Sequence, residues 1–127
     1  GCELYATDDH LDKRPGTKTE HIVLLAKNKT GYKNIVKLDS LSYIDGFYGK
    51  PRISYDQIKK HSEGVICLSA CLAGRIPQLL LRGDFEGAKT FAKEMKDGNC
   101  SVMMTVSAES VEHLRSIIKR IERIFLK

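Results

Sequence analysis

The chain has 127 residues, of which 42% are hydrophobic, so it holds enough apolar material for one core and too little for two full domains. Its 21 basic and 16 acidic residues give a formal charge of +5 that is spread along the sequence, which favours a solvated surface over a concentrated basic nucleic-acid patch. The longest apolar runs fall far short of the roughly 20 residues that cross a bilayer, and no secretory leader is visible. We therefore expect one soluble, cytoplasmic unit without membrane contact.

The first third of the chain predicts two strands, a polar loop between them and a long helix. Branched and apolar residues dominate 1–7 and 21–26, as in buried strands, whereas 8–19 is polar and contains a Pro-Gly pair. Asn28 or Thr30 can cap the helix, and Gly46 can end it. The residues at helical spacing are Tyr32, Ile35, Val36, Leu38, Leu41 and Ile44.

The middle of the chain continues this alternation. Ser54 can accept the amide hydrogen bonds that begin a short helix through residue 60, and 65–69 is typical of a third strand. Two more helices are expected over 72–81 and 85–95, because Gly83 can adopt positive φ and Asp84 can cap the second. Strands separated by helices favour an α/β fold with parallel pairing, in which ligands bind at the carboxyl ends of strands.

The last thirty residues predict one strand over 101–106 and one amphipathic helix from about Glu109. The apolar stripe of that helix consists of Val111, Leu114, Ile117, Ile118, Ile121 and Phe125. Each of these side chains would forgo roughly 1.5 to 3 kcal/mol of burial if it stayed in water. We therefore expect 98–127 to pack on the core that 1–97 forms.

Glu3, His21 and Cys71 each lie in or next to an apolar run that is typical of a buried strand. A carboxylate, an imidazole and a thiol that meet at strand ends can bind a divalent metal. The alternative that stays open is that Glu3 and His21 only form hydrogen bonds within a closed core. His10 is a weaker candidate, because its loop can fold over the strand ends.

Cysteines and basic residues give further, less specific expectations. The four cysteines have apolar neighbours, which favours free thiols in a reducing compartment over disulfides. Cys67 alternates with apolar residues inside a predicted strand and is expected in the core. Lys50 and Arg52, in the string GKPRI, are either solvated surface charges or contacts to a phosphate in a cleft.

Four strings, GCELYAT, EHIVLLAKNKTGYKN, GFYGKPRI and SEGVICLSACLAGRIP, closely resemble the polymerase-and-histidinol-phosphatase (PHP) domain of bacterial DNA polymerase III alpha subunits. The resemblance covers about residues 1–97, in the order that the family has. It implies a distorted β/α barrel, of which this chain carries a part. It also implies an origin in a DNA-directed DNA polymerase, a nucleotidyltransferase that acts in DNA replication.

The same resemblance places Glu3, His21 and Cys71 on three metal-ligand positions of the family. Glu3 would bridge ions, His21 would bind through a neutral ring nitrogen, and Cys71 would bind as a thiolate. The family's H-x-H, D-H and N-D-x-H elements do not occur at matching places, so we expect weakly bound zinc or manganese and no useful hydrolysis. Magnesium belongs to a polymerase site in a later domain. The implied partners are the parent polymerase domains and a proofreading exonuclease subunit, with DNA contacted indirectly.

Two functions of other classes stay open. The segment can be a non-catalytic interaction module, which the PHP domain often is in the parent polymerases. Alternatively, VMMTVSAESVEHLRSIIKRIERI is similar to the start of an ACT domain, so residues of about 100–127 can belong to a regulatory or dimerisation unit. A complete ACT unit needs βαββαβ, and this string supplies βα.

Overall fold

The computed structural model describes residues 1–98, 101–103, 116 and 119. The described strands are β1 (Cys2–Thr7), β2 (Glu20–Ala26), β3 (Arg52–Ser54), β4 (Val65–Leu68) and β5 (Ser101–Met103). The described helices are α1 (Lys29–Ile44), α2 (Tyr55–Lys60), α3 (Arg75–Leu81) and α4 (Phe85–Asp97). All five strands join one sheet in the order β3-β1-β2-β4-β5.

The sheet is mixed, so the expectation of parallel pairing is wrong for its centre. β2 pairs antiparallel with both β1 and β4, while β1 with β3 and β4 with β5 are parallel. A parallel crossover normally needs a helix between the strands, and the loop of residues 8–19 that joins β1 to β2 has none. The α/β class is confirmed in this mixed form, and closure into a barrel stays a prediction.

Three helix starts are confirmed at the predicted caps. The side chain of Asn28 accepts a hydrogen bond from the amide of Gly31 in α1, and Ser54 and Asp84 do the same for α2 and α4. Such caps satisfy amide groups that have no partner inside the helix. α3 begins at Arg75 rather than at residue 72, because residues 69–74 form a tight loop.

Side-chain alternation along β1 and β2 gives the sheet two different faces. One face is buried against the helices, and its core residues are Leu4, Ala6, Ile22, Leu24, Ile35, Leu38, Ile53, Tyr55, Ile58, Val65, Cys67 and Met95. On the other face of β1 and β2, Glu3 and Tyr5 are exposed, while His21 and Val23 are half-buried. We call this second face the open face, and it carries two of the candidate metal ligands.

Two cations hold the carboxyl end of α1. Arg52 is 2% exposed; its Nε donates to the carbonyl of Gly46 (3.1 Å) and its Nη2 to that of Asp12 (2.7 Å). Lys13 Nζ donates to the carbonyls of Asp45 (2.6 Å) and Phe47 (2.9 Å). Positive charge at this end of a helix is favourable, because the helix dipole is negative there.

The sequence did not predict β3, because its three residues follow a proline and show no alternation of apolar and polar side chains.

The described start of the predicted last strand joins the sheet, because Ser101 and Met103 of β5 lie opposite Ile66 and Leu68 of β4. The remainder of that strand and the helix from about Glu109 lie outside the described residues, apart from Ser116 and Lys119, which are helical and exposed. The division at residues 97 and 98 therefore stays a prediction. Within the described residues, no helix has the length and apolar character to cross a membrane.

A substitution at Gly31 tests how closely α1 packs against the start of β4. A Cβ atom at Gly31 would overlap the carbonyl group of Gly64, just before β4, and backbone cannot move aside as a flexible side chain can. We expect Gly31→Ala to lower the free energy of unfolding by about 1 to 3 kcal/mol, as overpacking does. Urea denaturation monitored by circular dichroism measures it.

The control is Gly98→Ala at the end of α4, where φ is −76° and a Cβ would meet Cβ and Cγ of the Lys59 side chain at 3.3 Å. The nearest backbone atom, the carbonyl oxygen of Met95, is at 3.5 Å, which is an ordinary contact. Gly98→Ala should therefore leave stability nearly unchanged. Equal losses in the two variants would contradict the close contact between α1 and the start of β4.

Candidate metal site on the open sheet face

The pairing of the strands brings Glu3 and His21 together. In the antiparallel register of β1 and β2, Glu3 lies opposite Val23, and Tyr5 lies opposite His21. Glu3 and His21 are therefore diagonal neighbours on the open face, within reach of each other. Cys71 reaches them from the loop of residues 69–74, because antiparallel pairing brings the end of β4 to the start of β2.

The imidazole of His21 lies between the other two candidate ligands. Its Nε2 is 3.5 Å from Oε2 of Glu3, and its Nδ1 is 3.5 Å from Sγ of Cys71. The side chain of Glu3 is 74% exposed and that of His21 is 25% exposed. The predicted residues thus converge, with the carboxylate and the thiol on different ring nitrogens, and water reaches the site.

The donor atoms fit zinc in pairs rather than as a set of three. Zinc lies about 2.0 to 2.1 Å from a histidine nitrogen and about 2.3 Å from a thiolate, so tetrahedral geometry puts those donors about 3.6 Å apart. The 3.5 Å between Nδ1 and Sγ matches this spacing. Glu3 approaches the opposite nitrogen, and no group of three His, Cys, Asp or Glu side chains in the described ranges is arranged to hold an ion. A three-ligand site therefore requires Glu3 to move.

The loop that carries Cys71 is held tightly against β2. The amide of His21 donates to the carbonyl of Ala73 (3.2 Å). Gly74 has no room for a side chain, because a Cβ there would overlap the carbonyl of Ser69. Ala70 adopts φ 55°, a left-handed conformation that costs energy for a residue with a side chain. Such a conformation persists only when the surrounding contacts enforce it.

A buried ion-pair network lies behind this loop, on the helix-covered side of the sheet. The side chain of Glu20 is 4% exposed and accepts from Arg75 Nε (2.7 Å), Lys18 Nζ (2.9 Å) and the hydroxyl of Tyr55 (2.8 Å). Arg75 Nη2 also pairs with Asp8 (2.7 Å), and the Arg75 guanidinium lies 4.5 Å from the ring centroid of Tyr55. The sequence prediction missed this network, although Glu20 directly precedes His21 and Arg75 directly follows the Cys71 loop.

The network shifts the pKa values of its members. Burial raises the pKa of Tyr55 far above its usual value, and the charge of Glu20 and the hydrogen bond donated to it add to the rise. For Arg75, burial acts to lower the pKa, but the hydrogen bond to Asp8 and the charge of Glu20 outweigh it and the net pKa is raised. The guanidinium therefore stays charged, and Tyr55 stays a hydrogen-bond donor.

The other candidate residues, Lys50, Arg52 and His10, differ in how close they lie to the site and in how deeply they are buried. Lys50 Nζ lies 4.1 Å from the ring centroid of Tyr5, which stacks on His21 at 6.3 Å, so this cation is one ring away from the site. Arg52, predicted as a possible phosphate contact, is instead buried with two carbonyl partners. The Nδ1 of His10 is 3.1 Å from the hydroxyl of Ser54, inside the protein. That contact gives His10 a structural role.

The cysteines differ in bonding and in exposure. Cys2 and Cys71 are free, as expected, but the expectation of a free thiol is wrong for Cys67, which is disulfide-bonded. Burial raises the pKa of Cys2 to about 11, and the nearby Asp39 carboxylate adds to the effect. Cys2 is therefore a protonated thiol at neutral pH. Cys71 is the exposed one and the one beside an imidazole.

Comparison with known proteins agrees with the sequence resemblance. A family model for the PHP domain matches residues 1–99. DNA polymerase III subunit alpha of Borreliella burgdorferi is 55% identical over 93 residues, which cover 70% of this chain and 8% of that protein. The proteins of the same name from Treponema pallidum and Thermus aquaticus are 44% and 39% identical, over 76% and 74% of this chain and 8% of each relative.

The chain therefore belongs to the PHP domain family, and the resemblance over about residues 1–97 is confirmed. It spans about 8% of the length of these curated relatives.

The raised pKa of Tyr55 predicts a loss of stability in alkali. The folded protein keeps the phenolic proton above pH 10, the usual pKa, whereas the unfolded chain releases it there. The unfolded state then binds fewer protons, so the free energy of unfolding falls as pH rises above that value. Tyr55→Phe should flatten this fall between about pH 9 and 11, as measured by denaturant titrations at each pH. The exposed Tyr32 supplies the control, because Tyr32→Phe should keep the slope of the unmodified chain.

Proposed function

We propose that this chain is part of the PHP domain of a replicative DNA polymerase III alpha subunit and acts in DNA replication within that larger protein. The observation that supports this most directly is the match of the PHP family model over residues 1–99. The relatives named DNA polymerase III subunit alpha support it too, with 39% to 55% identity in the same region. The encoding reading frame tests it: a downstream polymerase region is expected, and a frame without one contradicts the proposal.

The proposed chemistry of this segment is weak binding of one divalent ion. His21 and Cys71 supply the pair whose 3.5 Å spacing fits a metal, and the exposed Glu3 adds a carboxylate when it rotates towards them. A thiolate and an imidazole favour zinc, while the carboxylate also suits manganese. A bound ion would polarise a phosphate or a water molecule. One such site lacks the donors for a clamp of two ions.

Lys50 is the proposed phosphate contact of this site. Its ammonium group lies over the ring of Tyr5, on the open face beside His21, where an approaching phosphate oxygen would meet a positive charge. Arg52 is left out of the proposed contact, because its Nε and Nη2 already donate to Gly46 and Asp12.

A second candidate function is that of a non-catalytic module which packs against other polymerase domains or a proofreading exonuclease subunit. The open face favours it, since Tyr5 and Leu25 are 40% and 38% exposed there. The ACT-like alternative concerns residues outside the described ranges, except for β5, Ser116 and Lys119. The pairing of β5 with β4 favours a tail that belongs to the same core.

Cobalt(II), a spectroscopic substitute for zinc, tests the proposed ligands. Titration of the unmodified chain should produce the thiolate-to-cobalt charge-transfer absorption, because Cys71 supplies the sulfur. Cys71→Ser should abolish this absorption, and His21→Ala should weaken binding by about tenfold or more. Cys2→Ser is the control and should leave the absorption unchanged. Absence of the band in the unmodified chain would contradict metal binding.

We also expect no hydrolytic activity from this chain alone, because catalysis through clustered ions needs more ligands than three. Phosphatase and exonuclease assays with manganese or zinc should show no turnover above background. Robust turnover that Cys71→Ala abolishes would show that the donors present suffice, and the proposal of an inactive segment would then be wrong.

A further inference from the structure

We propose that Glu20 and Arg75 are positioning residues, which hold the Cys71 loop against β2 and thereby set the distance between Cys71 and His21. This inference rests on the metal binding proposed above and adds what fixes its geometry. Neither residue is on the open face, and neither is a proposed ligand. Their contact lies on the opposite side of the chain segments that carry the two ligands.

The connectivity of the chain makes this contact a restraint on the site. Glu20 is the residue before His21, and Arg75 is the first residue after the loop of residues 69–74. The 2.7 Å contact of Arg75 Nε with Glu20 Oε2 therefore joins the end of the Cys71 loop to the start of β2. The hydrogen bond from the His21 amide to Ala73 is a second link between the same segments.

The surroundings of Arg75 fix its orientation. Its planar fork contacts Glu20 and Asp8 with different nitrogens, both at 2.7 Å. Its guanidinium is also 4.5 Å and 5.2 Å from the ring centroids of Tyr55 and Phe91. A lysine cannot reproduce two such planar contacts. Arg75 is thus a rigid anchor rather than a mobile surface cation.

The loop itself needs such an anchor. Ala70 has a left-handed conformation one residue before Cys71, and strain of this kind is released when its restraints are removed. The side chain of Cys71 is exposed and approaches Nδ1 of His21 at 3.5 Å. We therefore expect that loss of the Glu20–Arg75 contact lets the thiol drift away from the ring nitrogen.

Cobalt(II) titration of four variants tests the inference. Arg75→Met should weaken cobalt affinity by about tenfold or more and reduce the thiolate charge-transfer band, as loss of a supporting contact typically does. Arg75→Lys and Glu20→Gln should give intermediate losses, because each retains part of the contact. Arg14→Met is the matched control: it removes the guanidinium that pairs with Asp12 at 2.7 Å on the surface, and it should change nothing.

A metal-free readout separates this inference from the proposed function. In the unmodified chain, nuclear Overhauser effects should connect the ring protons of His21 with the β protons of Cys71. Arg75→Met should weaken them while effects between Leu4 and Ile22, paired across β1 and β2, persist. If Arg75→Met does not fold, Arg75→Lys and Glu20→Gln decide the outcome by the same measurement.

The possible results are distinct. If the unmodified chain shows no cobalt band but the His21–Cys71 effects depend on Arg75, metal binding is wrong and the positioning role stands. If those effects and the cobalt affinity are the same in all the variants, the positioning role is wrong and metal binding stands.

Discussion

The antiparallel pairing of β2 with both of its neighbours is the constraint on which the candidate site depends. It brings the start of β2 next to the end of β4, and it puts Glu3 of β1 diagonally across from His21. With parallel pairing in the same order, Cys71 and His21 would lie at opposite edges of the sheet. A sheet of one direction would therefore have separated the residues that the mixed sheet brings within 3.5 Å of each other.

The sequence predicted the helix caps and most of the helices and strands, but it did not predict the direction in which the strands pair. Asn28, Ser54 and Asp84 were predictable caps because capping depends on residues three positions apart. Strand direction depends on how the intervening loop runs, which a pattern of apolar residues does not encode. The short β3 was not predicted for another reason: it pairs with β1, which is far away in the chain.

In the candidate site, too, some features were predictable from the sequence and others were not. The types of ligand and their places at strand boundaries were visible in the sequence, and the resemblance to the family singled out the same three residues. The positions of Arg52 and of the Glu20–Arg75 pair were not visible, since a charged side chain gives no local sign that its partner is 55 residues away. Buried charges depend on their partners, so such residues become recognisable only once the fold is known.

The position of His21 between two donors limits how many ions the described side chains can hold. Its two ring nitrogens face different donors, so one ion next to Nδ1 and Cys71 leaves Glu3 on the other side of the ring. Bringing Glu3 round would complete one ion's protein ligands at three, and a second ion would then have no histidine left in this cluster. These donors fit the proposed single, weakly bound ion and are too few for the proposed chemistry to include a two-ion clamp. Under the proposed assignment, metal-assisted catalysis would need further donors from the rest of the larger protein.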